Sequence, residues 1–137
     1  MNQPNRPYHA GRRALVAGAL LMAVGCAIAA LGAHTLRNAL SADDYRVFLT
    51  AVLFQFLHAL GLLCMGVLLA RRTDRLLSIA ADLLLAGVLL FSGSLYALVN
   101  GAPHSLGALT PLGGLCLIAG WCLVAAAGLR ARDAPPA

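Results

Sequence analysis

The chain has 137 residues, of which 61% are hydrophobic and 11% charged; its mean hydropathy is +0.83 and its formal net charge +5. Soluble domains run at about 45–50% apolar and about 25% charged residues, so this composition excludes an ordinary water-soluble domain and leaves room for one membrane domain. The basic residues are all arginines and the acidic ones all aspartates. The arginines stand at the ends of apolar runs, a placement that suits membrane topology and anionic headgroups and not a nucleic-acid footprint.

A hydrocarbon core of about 30 Å needs about 20 apolar residues per helix. Four segments meet that length: residues 14–33, 47–70, 76–99 and 106–129. They predict an all-α integral membrane four-helix bundle over residues 14–129. Residues 1–13 read as a basic N-terminal tail.

The first span, preceded by Arg12 and Arg13, has some features of a secretory signal peptide, and "AVGC" (residues 23–26) resembles a lipoprotein cleavage box. Three further spans already commit the chain to the membrane, which favours a retained first helix. His34 closes that span. The connection "RNALSADDYR" (37–46) contains an N-cap pattern, with Ser41 as cap and Asp43 and Asp44 in the first helical turn, where the helix dipole favours carboxylates. The second helix is therefore expected to start at the interface.

Within the second span, "FQFLHALGLL" (54–63) places Gln55 and His58 three residues apart, on one helical face. After the "RRTDR" loop (71–75), the third span carries Asp82 about six residues in, read as an interfacial ion-paired or protonated carboxylate in preference to a proton relay; Arg75, seven residues earlier on the same face, could snorkel toward it. The stretch "FSGSLY" adds Ser92, Ser94 and Tyr96. Gly101 and Pro103 break the chain in "NGAPHS" (100–105). Thr110 and Pro111 open the fourth span, where a proline in the first turn costs little. "RARDAPPA" (130–137) reads as a disordered tail.

Arginine placement predicts orientation. Arg6, Arg12, Arg13, Arg71, Arg72, Arg75, Arg130 and Arg132 fall on one side, Arg37 and Arg46 on the other. The positive-inside rule then places both termini in the cytoplasm.

In that orientation the polar residues of the spans concentrate in the outer half: His34, Gln55, His58, Ser92, Ser94, Tyr96, Thr110 and Pro111. Lipid supplies no hydrogen bonds, so such side chains face other helices or a cavity. Two readings stand. Gln55 and His58 bond to the serines and tyrosine of the third helix and fix register, or the group holds a ligand, proton or ion. Small residues are expected to let the helices approach closely: Gly25, Ala29 and Ala33 on the first, Gly93, Ala97 and Gly101 on the third, Gly113 and Gly114 on the fourth. Trp121, Tyr8 and Tyr45 suit interfacial positions. Cys26, Cys64, Cys116 and Cys122 lie within spans without a CxxC and read as small hydrophobes. The histidines have no zinc-site spacing. Neither a nucleophile motif nor a phosphate loop is present, so no enzyme activity and no cofactor are expected.

Four fragments in order, "LGAHTL" (31–36), "FQFLHALGLL" (54–63), "GVLLFSGSLYAL" (87–98) and "TPLGGLCLIAGW" (110–121), resemble the domain-of-unknown-function 423 family of small membrane proteins. The resemblance covers nearly the whole chain outside the tails. It implies a bacterial inner-membrane protein of four helices, and it draws attention to the same polar positions. The family has no established activity, so no mechanism comes with it. Phe54 stands where the family often has tyrosine, and Asp82 where an apolar residue is usual. The functional expectation is a non-enzymatic protein embedded in the lipid bilayer that associates with itself or a larger membrane complex; the alternative is a small permease or proton-linked carrier using His34, Gln55 and His58. Nucleic acid is not an expected partner.

Overall fold

The computed structural model describes residues 6–132. Helix α1 (Arg6–Leu31) runs into a π-helical turn (Gly32–Leu36) and a short helix α2 (Arg37–Ala39). Helix α3 (Ala42–Arg71), helix α4 (Arg75–Val99), a 3₁₀ turn (His104–Ala108) and helix α5 (Leu109–Arg132) follow. Four helices are long and apolar enough to cross a membrane, and no strand occurs among the described residues.

The helices outrun the apolar segments. α1 starts at Arg6, so residues 6–13 are helical; α5 likewise continues to Arg132. Apolar length marks what lipid must cover, whereas a helix ends where its backbone bonds end. Residues 1–5 of the expected N-terminal tail and 133–137 of the C-terminal one lie outside the described residues.

The connections are short and capped. Only Leu40 and Ser41 separate α2 from α3. Ser41 Oγ accepts from the Asp44 amide at 3.1 Å and donates to the Asp44 carboxylate at 2.7 Å, while Arg46 pairs with Asp43. Between α3 and α4, Asp74 Oδ1 accepts from the amides of Leu76 and Leu77 at 2.9 and 3.2 Å, fixing the start of α4. Gly101, with φ of +85°, makes the turn after α4.

The long helices lie side by side in chain order: α1 on α3, α3 on α4, α4 on α5, with slight contact between α1 and α4. Half of the apolar window of α3 is buried, against 17% for α1 and 22% for α5. α3 and α4 therefore form the centre and α1 and α5 the flanks. Leu62, Leu84, Val88, Leu77 and Leu117 are core residues.

Close approach depends on glycine at both outer seams. Gly11, Gly18 and Gly25 on α1 and Gly32 at the start of the π-helical turn recur every seven residues and face α3. A Cβ at Gly18 would lie 2.8 Å from the Ala59 carbonyl oxygen, and one at Gly32 would strike the Phe48 ring. The seven-residue period keeps one seam facing its partner. On α5, a Cβ at Gly113 would lie 2.5 Å from the Phe91 backbone nitrogen.

Only part of the small-residue set read from the sequence lies in these seams. Gly25 and Gly113 do. Ala29 and Ala97 are half-buried, Ala33 is exposed, and Gly114 makes one loose contact. Gly93 faces open space, and Gly101 serves the turn instead of a helix contact. A four-residue spacing identifies a stripe on a helix but not the side on which a neighbour lies.

Asp82 is a second correction. Its carboxylate is bound by Arg13 of α1, at 3.1 and 3.3 Å, and not by Arg75. Arg75 instead lines a cleft of about 830 Å³ with His9, Arg13, Asp74 and Ser78. The extension of α1 ahead of its apolar run is what brings Arg13 level with Asp82.

Candidate intramembrane polar site

Gln55, near the middle of α3, is 3% exposed. Its amide nitrogen donates to the Leu21 carbonyl of α1 at 2.8 Å, and its Oε1 accepts from the Tyr96 hydroxyl of α4 at 2.8 Å. One side chain thus joins three helices. The tyrosine is held by aromatic neighbours: Phe48 lies 5.8 Å from its ring and itself stacks on Tyr45 at 6.0 Å.

The serines of α4 use backbone and hydroxyl partners. Ser92 Oγ donates to the Ala51 carbonyl of α3 at 2.9 Å. Ser94 Oγ contacts Thr110 Oγ1 of α5 at 2.6 Å and also bonds the Phe91 carbonyl. Each pair of neighbouring long helices therefore shares at least one polar fastener. Among the described residues, no fully buried side-chain nitrogen or oxygen lacks a partner.

His58 diverges from Gln55 despite the three-residue spacing. Its Nδ1 lies 2.7 Å from the Phe54 carbonyl, one turn back on α3. A carbonyl only accepts, so Nδ1 carries the proton and donates. The imidazole neighbours Phe54 and Trp121, with ring centroids at 5.7 and 6.2 Å, and Phe54 stacks on Phe91 at 4.3 Å. No hydrogen bond links His58 to Ser92. A 3.6-residue period leaves positions three apart about 60° off one another, enough here to aim Gln55 between α1 and α4 and His58 toward α5.

His34 and Pro111 do not join the cluster. His34 is exposed on the π-helical turn, and Pro111 is exposed in the first turn of α5. Trp121 was expected at the interface, yet it sits near the middle of α5 with its ring over Gly61 of α3, where a Cβ would lie 3.1 Å from the indole carbons. Counting residues along α5 gives that depth; the contact across to Gly61 has no sequence signal. The side chain of Tyr8 lies outside the described set. Cys26, Cys64 and Cys122 are exposed free thiols, and Cys116 is half-exposed. Among the described residues no three His, Cys, Asp or Glu side chains converge as a metal site would require.

The family model for a protein of unknown function, DUF423, matches residues 28–114, a stretch that contains the Gln55–Tyr96 link, both serines and His58. The chain belongs to the DUF423 family. This DUF423 protein is 40% identical over 99 residues to a UPF0382 membrane protein of Staphylococcus saprophyticus, covering 71% of this chain and 80% of the relative. It is 38% identical over 104 residues to the UPF0382 membrane protein YwdK of Bacillus subtilis, with 71% and 80% covered. It is likewise 40% identical over 99 residues to a UPF0382 membrane protein of Staphylococcus epidermidis, with 71% and 79% covered. No solved structure matches it. This DUF423 chain is thus a four-helix membrane protein.

Proposed function

We propose that this protein is a non-enzymatic interaction or accessory subunit of the bacterial inner membrane, with both termini in the cytoplasm, that packs with a second copy or a larger membrane complex. The observation that carries this reading is the use of the polar side chains. Gln55, Tyr96, Ser92, Ser94 and Thr110 bond to one another or to backbone carbonyls across the helix seams. Interhelical bonds of this kind contribute about 0.6 kcal/mol each on average. They support a register-fixing scaffold, with these side chains committed to one another and to the backbone. The flanking helices support the second half of the reading. α1 and α5 each meet one extensive neighbour and present outward faces rich in Leu, Val and Ile.

The exposed Cys26 on α1 supplies a test through a native thiol. Mild oxidation of native membranes is expected to give a covalent homodimer that Cys26→Ser abolishes, or gentle solubilisation to recover the protein with a defined membrane partner. A lone monomer in mild detergent, neither cross-linked nor accompanied, would overturn the proposal.

A further inference from the structure

His58 is 7% exposed, and one of its ring nitrogens has no partner among the described residues. Nδ1 is committed to the Phe54 carbonyl, so in the neutral ring Nε2 presents a lone pair. Fully buried side-chain nitrogens and oxygens are all paired among the described residues, so Nε2 lies where the imidazole reaches the surface. That surface is a groove. Two hollows of about 610 and 440 Å³ flank Trp121, and His58 lines both. The larger one has Phe54, Gly114, Leu117, Ile118 and Trp121 around the imidazole.

The depth of this lone pair decides what it meets. His58 stands near the middle of α3, and Trp121 near the middle of α5, so the groove opens at the membrane centre. Lipid tails offer no donor there, and an acceptor facing hydrocarbon is uncompensated. The walls add two further requirements. Phe54 and Trp121 give aromatic surfaces beside the imidazole, suited to a ring. The rims, with Leu57, Leu60 and Ile118 about half or more exposed, continue into the lipid-facing surface and suit an apolar chain. The larger hollow falls in the size range of small-molecule sites, about 300–1,000 Å³, which are mainly apolar with a few placed polar groups.

We infer that the groove between Phe54 and Trp121 binds a hydroxylated aromatic amphiphile, a phenol or hydroquinone with an apolar tail, whose O–H donates to His58 Nε2. The inference concerns binding and does not rest on the accessory-subunit reading: a monomer holds the whole groove.

Trp121 is the single tryptophan of the chain and forms one wall, so its fluorescence reports occupancy directly. The full chain, in nanodiscs of a zwitterionic phospholipid, is titrated with a meta-bromophenol carrying a nonyl chain and with its methyl ether. The two probes share ring, bromine and chain, the ether having a methyl in place of the donor hydrogen, and bromine quenches on contact. The phenol is expected to quench saturably, with a half-saturating membrane mole fraction about five- to tenfold below that of the ether, the scale of one hydrogen bond. In His58→Leu the phenol should fall to the level of the ether. Equal quenching by both probes in the parent protein would overturn the inference, and this arm needs no variant. So would a phenol preference that survives His58→Leu, or an equal response to ω-bromododecanol, which has the donor but no ring.

Discussion

Replacing Tyr96 by phenylalanine removes the donor to Gln55 Oε1 and leaves the aromatic packing against Phe48 in place. Replacing Gln55 by alanine removes that bond and the one to Leu21 together. Tyr96→Phe is therefore expected to lower stability by about 0.6 kcal/mol, within a range reaching about 1.7, and Gln55→Ala by more. The double variant should show a coupling close to the Tyr96→Phe loss when unfolding is followed in detergent or nanodiscs. A cycle between His58→Ala and Ser92→Ala should show almost none, because the two side chains bond to different carbonyls. The residue types of this cluster were legible in the sequence, since polar groups in lipid need partners. Their pairings were not. Carbonyls and hydroxyls on several helices compete for each donor, and only the packed arrangement chooses among them.

Glycines make the corresponding choice between helices. At Gly113 a methyl group would press into the backbone of Phe91, which cannot rotate away as a side chain can. Gly113→Ala is expected to wedge α5 from α4 and lower stability by about 1–3 kcal/mol, the usual scale of overpacking. Gly93→Ala, where nothing lies within 4 Å, should be neutral or slightly stabilising through helix propensity. Parallel thermal melts of the two variants check both directions. Both glycines sit in glycine-containing motifs of apolar helices, so sequence alone ranks them together. The seven-residue series Gly11, Gly18, Gly25, Gly32 was present to be read, yet the shorter spacing at Gly25, Ala29 and Ala33 competed with it. The capped start of α3 at Ser41 was readable because its determinants are local: cap, carboxylates and dipole lie within one turn.

Across the whole molecule, the arrangement in a row assigns different tasks to the helices. α3 and α4 carry the core and the hydrogen bonds, while α1 and α5 turn large apolar faces outward. The proposed orientation rests on arginine placement, and fusions to the C-terminus test it. A green fluorescent protein fused there should fluoresce in a bacterial host, and an alkaline phosphatase fused there should stay inactive; the reverse pattern would invert the topology. Composition and apolar run length determined by themselves that the chain is helical, that it has four spans and that it belongs in a membrane. Those properties follow from the absence of backbone partners in lipid, a constraint each segment must satisfy alone. The tertiary structure decided which helices touch, that Arg13 and not Arg75 binds Asp82, and that His58 parts from Gln55 to share a groove with Trp121. Those outcomes depend on the relative rotation and depth of whole helices, which are set jointly by side chains far apart in the chain.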